Sequence, residues 1–62
     1  MMKTQERWAH NIVKANGLSY TFELLQYYQT PKEHIKWEDR VEKFYALQYA
    51  LKFAIDRIAI EE

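Results

Sequence analysis

The 62-residue sequence has no cysteine, one glycine and one proline. The absence of cysteine excludes disulfide bonds and thiolate metal sites. The scarcity of glycine and proline indicates long regular segments with few turns. No apolar run is long enough to cross a membrane, and none follows Lys3 as a signal peptide would require. We therefore expect a cytoplasmic protein that has no membrane partner.

Neither sign of charge is in excess either, since nine basic residues balance nine acidic ones. A strongly basic domain would indicate nucleic acid as the partner, and this chain does not have that character. Apolar residues make up 48% and aromatic residues 16% of the chain, which argues against intrinsic disorder. Residues 1–62 are expected to form a single helical domain, because sustained two-residue alternation, the signature of strands, is absent.

Local signals divide the chain into three predicted helices. Thr4 can cap a first helix that ends near Asn16, where Gly17 can adopt the positive φ of a C-cap. Ser19 can cap a second helix that ends near Gln29. The expected fold is thus all-α, with two short helices followed by one long helix.

The Thr-Pro-Lys-Glu segment predicts the start of the long helix. Thr30 would be the N-cap and Glu33 the third helical residue of a capping box, and proline favours the first helical position. A single helix from Pro31 to Ile60 is the simplest interpretation. A break near residues 34–37 stays open, because Asp39 could also cap a later start.

The long helix is apolar on more than one side. Thirteen of the eighteen residues from 43 to 60 are apolar, more than a single stripe requires. Helices 1 and 2 can cover one side, and a small chain often obtains the missing stability by association. We predict a homodimer, with an alternative in which helices 1 and 2 clasp the long helix from both sides in a monomer. The predicted dimer seam follows heptad positions a and d: Trp37, Val41, Phe44, Gln48, Leu51, Ile55 and Ile58.

Gln48 is a polar residue at an a position of this seam. Burying an amide is unfavourable unless it is hydrogen-bonded, and polar a residues are tolerated where they fix register by pairing. We predict either that Gln48 hydrogen-bonds across the seam or that it faces water in a polar strip with Lys52 and Asp56.

Catalytic chemistry is not indicated. Ser19 is better explained as a helix cap than as a nucleophile, and His34 with Glu38 offers only two metal ligands. The carboxylates of Asp39 and Glu42 alternate with basic residues, which is typical of a solvated helix face. We expect no enzymatic activity, no catalytic residue, no cofactor and no metal.

Binding to another protein fits the composition best, because tyrosine and tryptophan are enriched in interfaces. Trp8 and Trp37 are expected to lie mainly in the core. The candidates for contact with an unidentified protein partner are five tyrosines: Tyr20, Tyr27, Tyr28, Tyr45 and Tyr49.

The function expected from these features is that of a small cytoplasmic, non-enzymatic adaptor or regulator. Compact helical proteins of this size are common among bacterial and phage accessory factors, so that class is favoured by association with the fold alone. The alternative is a dimeric DNA- or RNA-binding transcriptional regulator. Its phosphate contacts would come from one edge of the long helix: Lys32, Lys36, Arg40 and Lys43.

Overall fold

The computed structural model describes residues 4–61, with side chains described for residues 4–57. Over this range the chain forms helix α1 (Thr4–Gln29), a loop at residues 30–36, and helix α2 (Trp37–Glu61). No strand occurs among the described residues, so the all-α prediction is confirmed. The predicted layout of three separate helices is not supported, because residues 4–29 form one helical element, but that element is interrupted at the predicted place, where Gly17 has non-helical dihedral angles.

A kink at Gly17 bends α1 back on itself. Gly17 has φ 88° and ψ 174°, so the predicted positive φ is confirmed. The rings of Trp8 and Tyr28 lie 6.3 Å apart, in an edge-to-face arrangement. In a straight helix, twenty residues would separate them by about 30 Å. Ser19, predicted to cap a separate helix, lies inside α1 just after the bend.

The core between α1 and α2 is built mainly from small side chains. Ala9, Leu47 and Ala50 are at most 1% exposed, and Ala46 is 6% exposed. Thr21 is fully buried, and its hydroxyl donates a 2.8 Å hydrogen bond to the carbonyl of Gly17. Six half-buried apolar side chains surround this cluster: Trp8, Ile12, Val13, Leu24, Leu25 and Tyr28.

The loop shows that the predicted capping box is wrong. The backbone N–H of Ile35 donates to the carbonyl of Lys32 at 3.3 Å, which closes a turn, and α2 begins at Trp37. The alternative of a later helix start is confirmed, although residues 30–36 form a loop rather than a broken helix and Asp39 lies inside α2 rather than at its N-cap. With α2 starting at Trp37, the side chain of Arg40 in its first turn reaches the end of α1.

Arg40 connects α2 to the C-terminus of α1. Its Nη1 donates to the carbonyls of Tyr28 at 2.9 Å and Gln29 at 3.3 Å. The last carbonyls of a helix have no partner within the helix, and the last turn of α1 has no basic residue of its own. The guanidinium of Arg40 supplies the missing donor from the other helix.

Replacing Arg40 by methionine is expected to lower the free energy of unfolding by about 1–2 kcal/mol. Hydrogen bonds from charged donors contribute about 1.5–3 kcal/mol. Nε of Arg40 is buried without a partner in the part of the chain described, which offsets some of that gain. Urea unfolding followed by circular dichroism measures the change. Lys36→Met, at an exposed loop position, is the control, and equal losses from the two variants would contradict the role of Arg40.

Candidate protein-binding surfaces

The exposed side of α2 carries a row of residues that we call the α2 stripe. Its members follow one another at spacings of three or four residues, which places them on one side of a helix: Trp37, Val41, Tyr45, Gln48, Lys52 and Ile55. Trp37 is 67% exposed, Tyr45 63% and Ile55 55%. The expectation that Trp37 lies in the core is therefore not met.

The predicted dimer seam is only partly accessible in the folded chain. Trp37, Gln48 and Ile55 are exposed and Val41 is half-buried. Phe44 is half-buried and in edge-to-face contact with Tyr45, and the ring centroids are 5.5 Å apart.

Leu51, by contrast, is only 7% exposed, so the d positions turn partly toward α1. The physical reason is that Leu47, one residue away from the seam positions, occupies the centre of the core. The side chain of Ile58 lies outside the described residues.

A groove flanks the α2 stripe on each side, so that the stripe forms a ridge. The larger groove, about 850 Å³, lies between the stripe and the first residues of α1, Thr4 to Glu6. The smaller groove, about 290 Å³, is lined from α1 by Phe22 and Leu25. Gln48 and Lys52 line both grooves. This shape can receive another helix alongside the ridge.

A second surface, the aromatic patch, consists of His10, Tyr49 and Phe53. The His10 ring stands edge-to-face against both aromatic rings, with centroids 6.2 Å from Tyr49 and 5.5 Å from Phe53. Tyr49 is 56% and Phe53 51% exposed, and a groove of about 700 Å³ borders them. Of these three residues, only Tyr49 is among the candidates predicted from the sequence. The spacing of four residues between Tyr49 and Phe53 is the signal that could have identified Phe53 as well, whereas nothing local indicated His10.

The other predicted tyrosines lie on α1. Tyr20 and Tyr27 are 48% and 41% exposed, and the Tyr27 hydroxyl is 3.3 Å from Nε2 of His34. Tyr28 is half-buried in edge-to-face contact with Tyr27, at 5.1 Å between ring centroids. Burial raises the pKa of the Tyr28 hydroxyl, and the neighbouring Tyr27 and Tyr20 raise it further. The five predicted tyrosines therefore do not form one surface.

Three of the four basic residues considered for nucleic acid make contacts within the chain. The Lys32 ammonium lies 4.4 Å from the centroid of the Tyr27 ring and donates to the Thr30 hydroxyl at 3.0 Å. The Lys43 ammonium lies 5.6 Å from the centroid of the Trp8 ring. Arg40 holds the end of α1, and Lys36 is exposed in the loop.

Among the described residues, no group of three or more histidine or acidic side chains could hold a metal ion. No helix in the described range is long and apolar enough to span a membrane. Comparison of the chain with protein-family models, curated proteins and solved structures found no match. Its function therefore has to be inferred from its own surfaces.

Proposed function

We propose that this protein is a small cytoplasmic adaptor or regulator without enzymatic activity, which acts by binding protein chains, including a second copy of itself. The observation that carries the proposal is that small side chains fill the core cluster, whereas large apolar side chains are exposed. The core cluster contains three alanines and one leucine. Eight large apolar side chains among those described are more than 40% exposed: Tyr20, Phe22, Tyr27, Trp37, Tyr45, Tyr49, Phe53 and Ile55.

The exposed area supports the same proposal. The chain has 5074 Å² of accessible surface, whereas a folded monomer of 7.6 kDa is expected to have about 4300 Å². The chain therefore exposes more surface than an average folded monomer of its mass, as expected if part of that surface is covered by a partner.

The aromatic patch is suited to bind a partner other than the chain itself. Tyrosine and phenylalanine offer large contact areas while few rotamers have to be fixed on binding. The edge contacts of His10 already hold Tyr49 and Phe53 together, so less freedom is lost when a partner arrives. The flanking groove provides the concave neighbourhood in which interface anchors are usually placed.

Nucleic-acid binding receives less support. The basic edge would have to give up the contacts of Arg40 with α1, of Lys43 with Trp8 and of Lys32 with Tyr27 before those side chains could reach phosphates. Net charge is zero, which provides no long-range attraction to a polyanion. A gel-shift titration at low and high salt tests this alternative, and specific retardation would favour it over the proposal.

Replacing both Tyr49 and Phe53 by serine is expected to weaken partner binding at least about 30-fold, because central aromatic anchors contribute about 2 kcal/mol or more. Both side chains are more than half exposed, so the variant should keep the circular dichroism of the parent. Immobilised parent and variant are used to capture proteins from an extract of the source organism, and the affinity of a retained protein is then measured by calorimetry.

Glu23→Ser is the control, since Glu23 is exposed on α1 and lines none of the three grooves. A protein retained by the parent and the control but not by the double variant supports the proposal. Equal retention by all three baits would show that the aromatic patch is not the binding surface.

A further inference from the structure

We propose that the groove bordering the aromatic patch, here called the aromatic groove, binds a helical segment of another protein that carries two carboxylates about two turns apart with apolar side chains between them. This inference rests on the part of the proposed function that gives the aromatic patch a protein partner, and it names the chemistry of that partner. The arrangement that carries it is a pair of exposed aromatic rings between two cations.

The wall of the aromatic groove that α1 provides is basic at both ends. Arg7, His10 and Lys14 line the groove, and their spacing of three and four residues places them on one side of the helix. Arg7 and Lys14 are exposed, and neither forms an ion pair or a hydrogen bond with another described residue. Two turns of helix separate them, which is about 10 Å along the axis. Both cations are therefore available to a partner.

The aromatic patch lies between these cations. His10 is placed between Arg7 and Lys14 on the same side of α1, and its ring contacts both Tyr49 and Phe53 edge-to-face. The two rings of α2 are more than half exposed and line the opposite wall of the groove. A ligand that fills this groove of about 700 Å³ meets positive charge at both ends and apolar surface in the middle.

Acidic side chains near the aromatic groove do not cancel its positive charge. Glu6 is the one carboxylate that lines the groove against two cations, and it already has an interaction within the chain. Asp56 follows Phe53 by three residues, but its carboxylate is 3.5 Å from the Lys52 ammonium and it lines the groove of about 290 Å³ instead. The charge that the aromatic groove offers to a partner is therefore positive.

The distance between the two cations specifies the pattern of the partner. On a helix, side chains at i and i+7 lie on the same side about 10 Å apart, and those at i+3 and i+4 lie between them. Carboxylates at the outer two positions would reach Arg7 and Lys14, while apolar side chains at the inner two would cover Tyr49 and Phe53. Amphipathic helices bind in grooves through anchors of this spacing.

The sequence and the groove favour a different protein as the occupant. No two acidic residues of this chain are seven positions apart, so a second copy cannot present the pattern from one helix. A nucleic-acid strand would bring closely spaced phosphates, and the carboxylate of Glu6 in the same groove would repel them. A peptide helix with two carboxylates leaves the space opposite Glu6 uncharged.

A charge-exchange experiment tests this inference. One probe is a fluorescein-labelled, alanine-based helical peptide of about 16 residues, with glutamates at i and i+7 and leucines at i+3 and i+4. A second probe has lysines in place of the two glutamates. Fluorescence anisotropy at low salt measures the affinity of both peptides for the parent and for the Arg7→Glu, Lys14→Glu double variant. Both positions are exposed, so the variant should keep the circular dichroism of the parent.

We expect the parent to bind the glutamate peptide at least about tenfold more tightly than the lysine peptide, and the double variant to reverse this preference, because two attractions become two repulsions. Lys36→Glu is the control, since Lys36 is exposed in the loop and lines none of the three grooves, and it should keep the preference of the parent. The neutral Arg7→Gln, Lys14→Gln variant, which should lose the preference, replaces the double variant if that chain does not fold.

Three results would overturn the inference. The first is equal affinity of the parent for the two peptides, and the second is no binding of the glutamate peptide up to about 1 mM. The third is binding of a labelled oligothymidylate, dependent on Arg7 and Lys14, without binding of the glutamate peptide.

The capture experiment separates this inference from the proposed function. A protein that is lost by the Tyr49 and Phe53 double variant but retained by the Arg7→Glu, Lys14→Glu variant would support the proposed function and overturn the acidic partner. Retention by both variants would overturn both proposals for the aromatic patch, whereas loss from both variants supports them.

Discussion

Replacing Leu47 by alanine is expected to lower the free energy of unfolding by about 2–5 kcal/mol. Leu47 is fully buried and is the one large aliphatic side chain in a core cluster otherwise made of alanines. Both the lost burial and the cavity that the substitution leaves contribute to this loss. A domain of this size has a total stability of about 3–9 kcal/mol, and the variant should therefore be largely unfolded at moderate temperature.

Urea unfolding monitored by circular dichroism measures this loss. Leu18→Ala makes the same chemical change at a half-buried position next to the kink, outside the core cluster. It should lower the free energy of unfolding clearly less than Leu47→Ala does. If the chain is a dimer whose folding and association are coupled, the urea concentration at the midpoint of unfolding should also rise with protein concentration. Equal losses from the two variants would mean that Leu47 is not the centre of the core.

Replacing Gly17 by alanine is expected to lower the free energy of unfolding by about 1–3 kcal/mol. The combination of φ 88° and ψ 174° is accessible essentially to glycine alone. No atom lies within 4 Å of a Cβ added at this position, so the loss would come from backbone strain without a steric clash.

Two further variants make this test specific. Ser19→Ala, exposed within α1, is the control and should change stability little. Asparagine often replaces glycine in left-handed helical caps, but ψ of 174° lies outside that region, so Gly17→Asn should be about as costly as Gly17→Ala. Alanine inside an ordinary helix would instead stabilise by about 0.5–1 kcal/mol. A gain of that kind would indicate that α1 can straighten and that the bend is not required.

The buried positions of α2 explain why the predicted dimer seam is only partly exposed in the folded chain. The heptad pattern correctly identified a helix that is apolar on two sides, and three of its seam positions, Trp37, Gln48 and Ile55, are exposed. It placed Leu51 in the seam, whereas Leu51 is buried. Periodicity counts apolar residues on each side of a helix but does not tell which side the rest of the chain covers.

The candidate surfaces could be predicted from the sequence to different degrees, because local patterns do not tell which residues folding brings together. Tyr45 and Tyr49 were identified by residue type, since exposed aromatic residues are common in interfaces. The aromatic patch also needs His10, which is 39 residues from Tyr49 in the sequence and reaches it only because α1 folds against α2. A contact between residues that lie so far apart in the sequence produces no pattern in the spacing of neighbouring residues.

The sequence by itself determined the helical class, the positive φ of Gly17 and the absence of cysteine chemistry, because these depend on residue type and on neighbours within one or two turns. Only the tertiary structure decided that α2 starts at Trp37, that Arg40 completes the end of α1, and that alanines rather than aromatic side chains are buried. The physical reason is that a local signal such as the Thr30–Glu33 segment is a weak preference, which contacts formed only on folding can override. The buried side of α2 carries two alanines and two leucines, whereas its tyrosines and Phe53 are left on the surface.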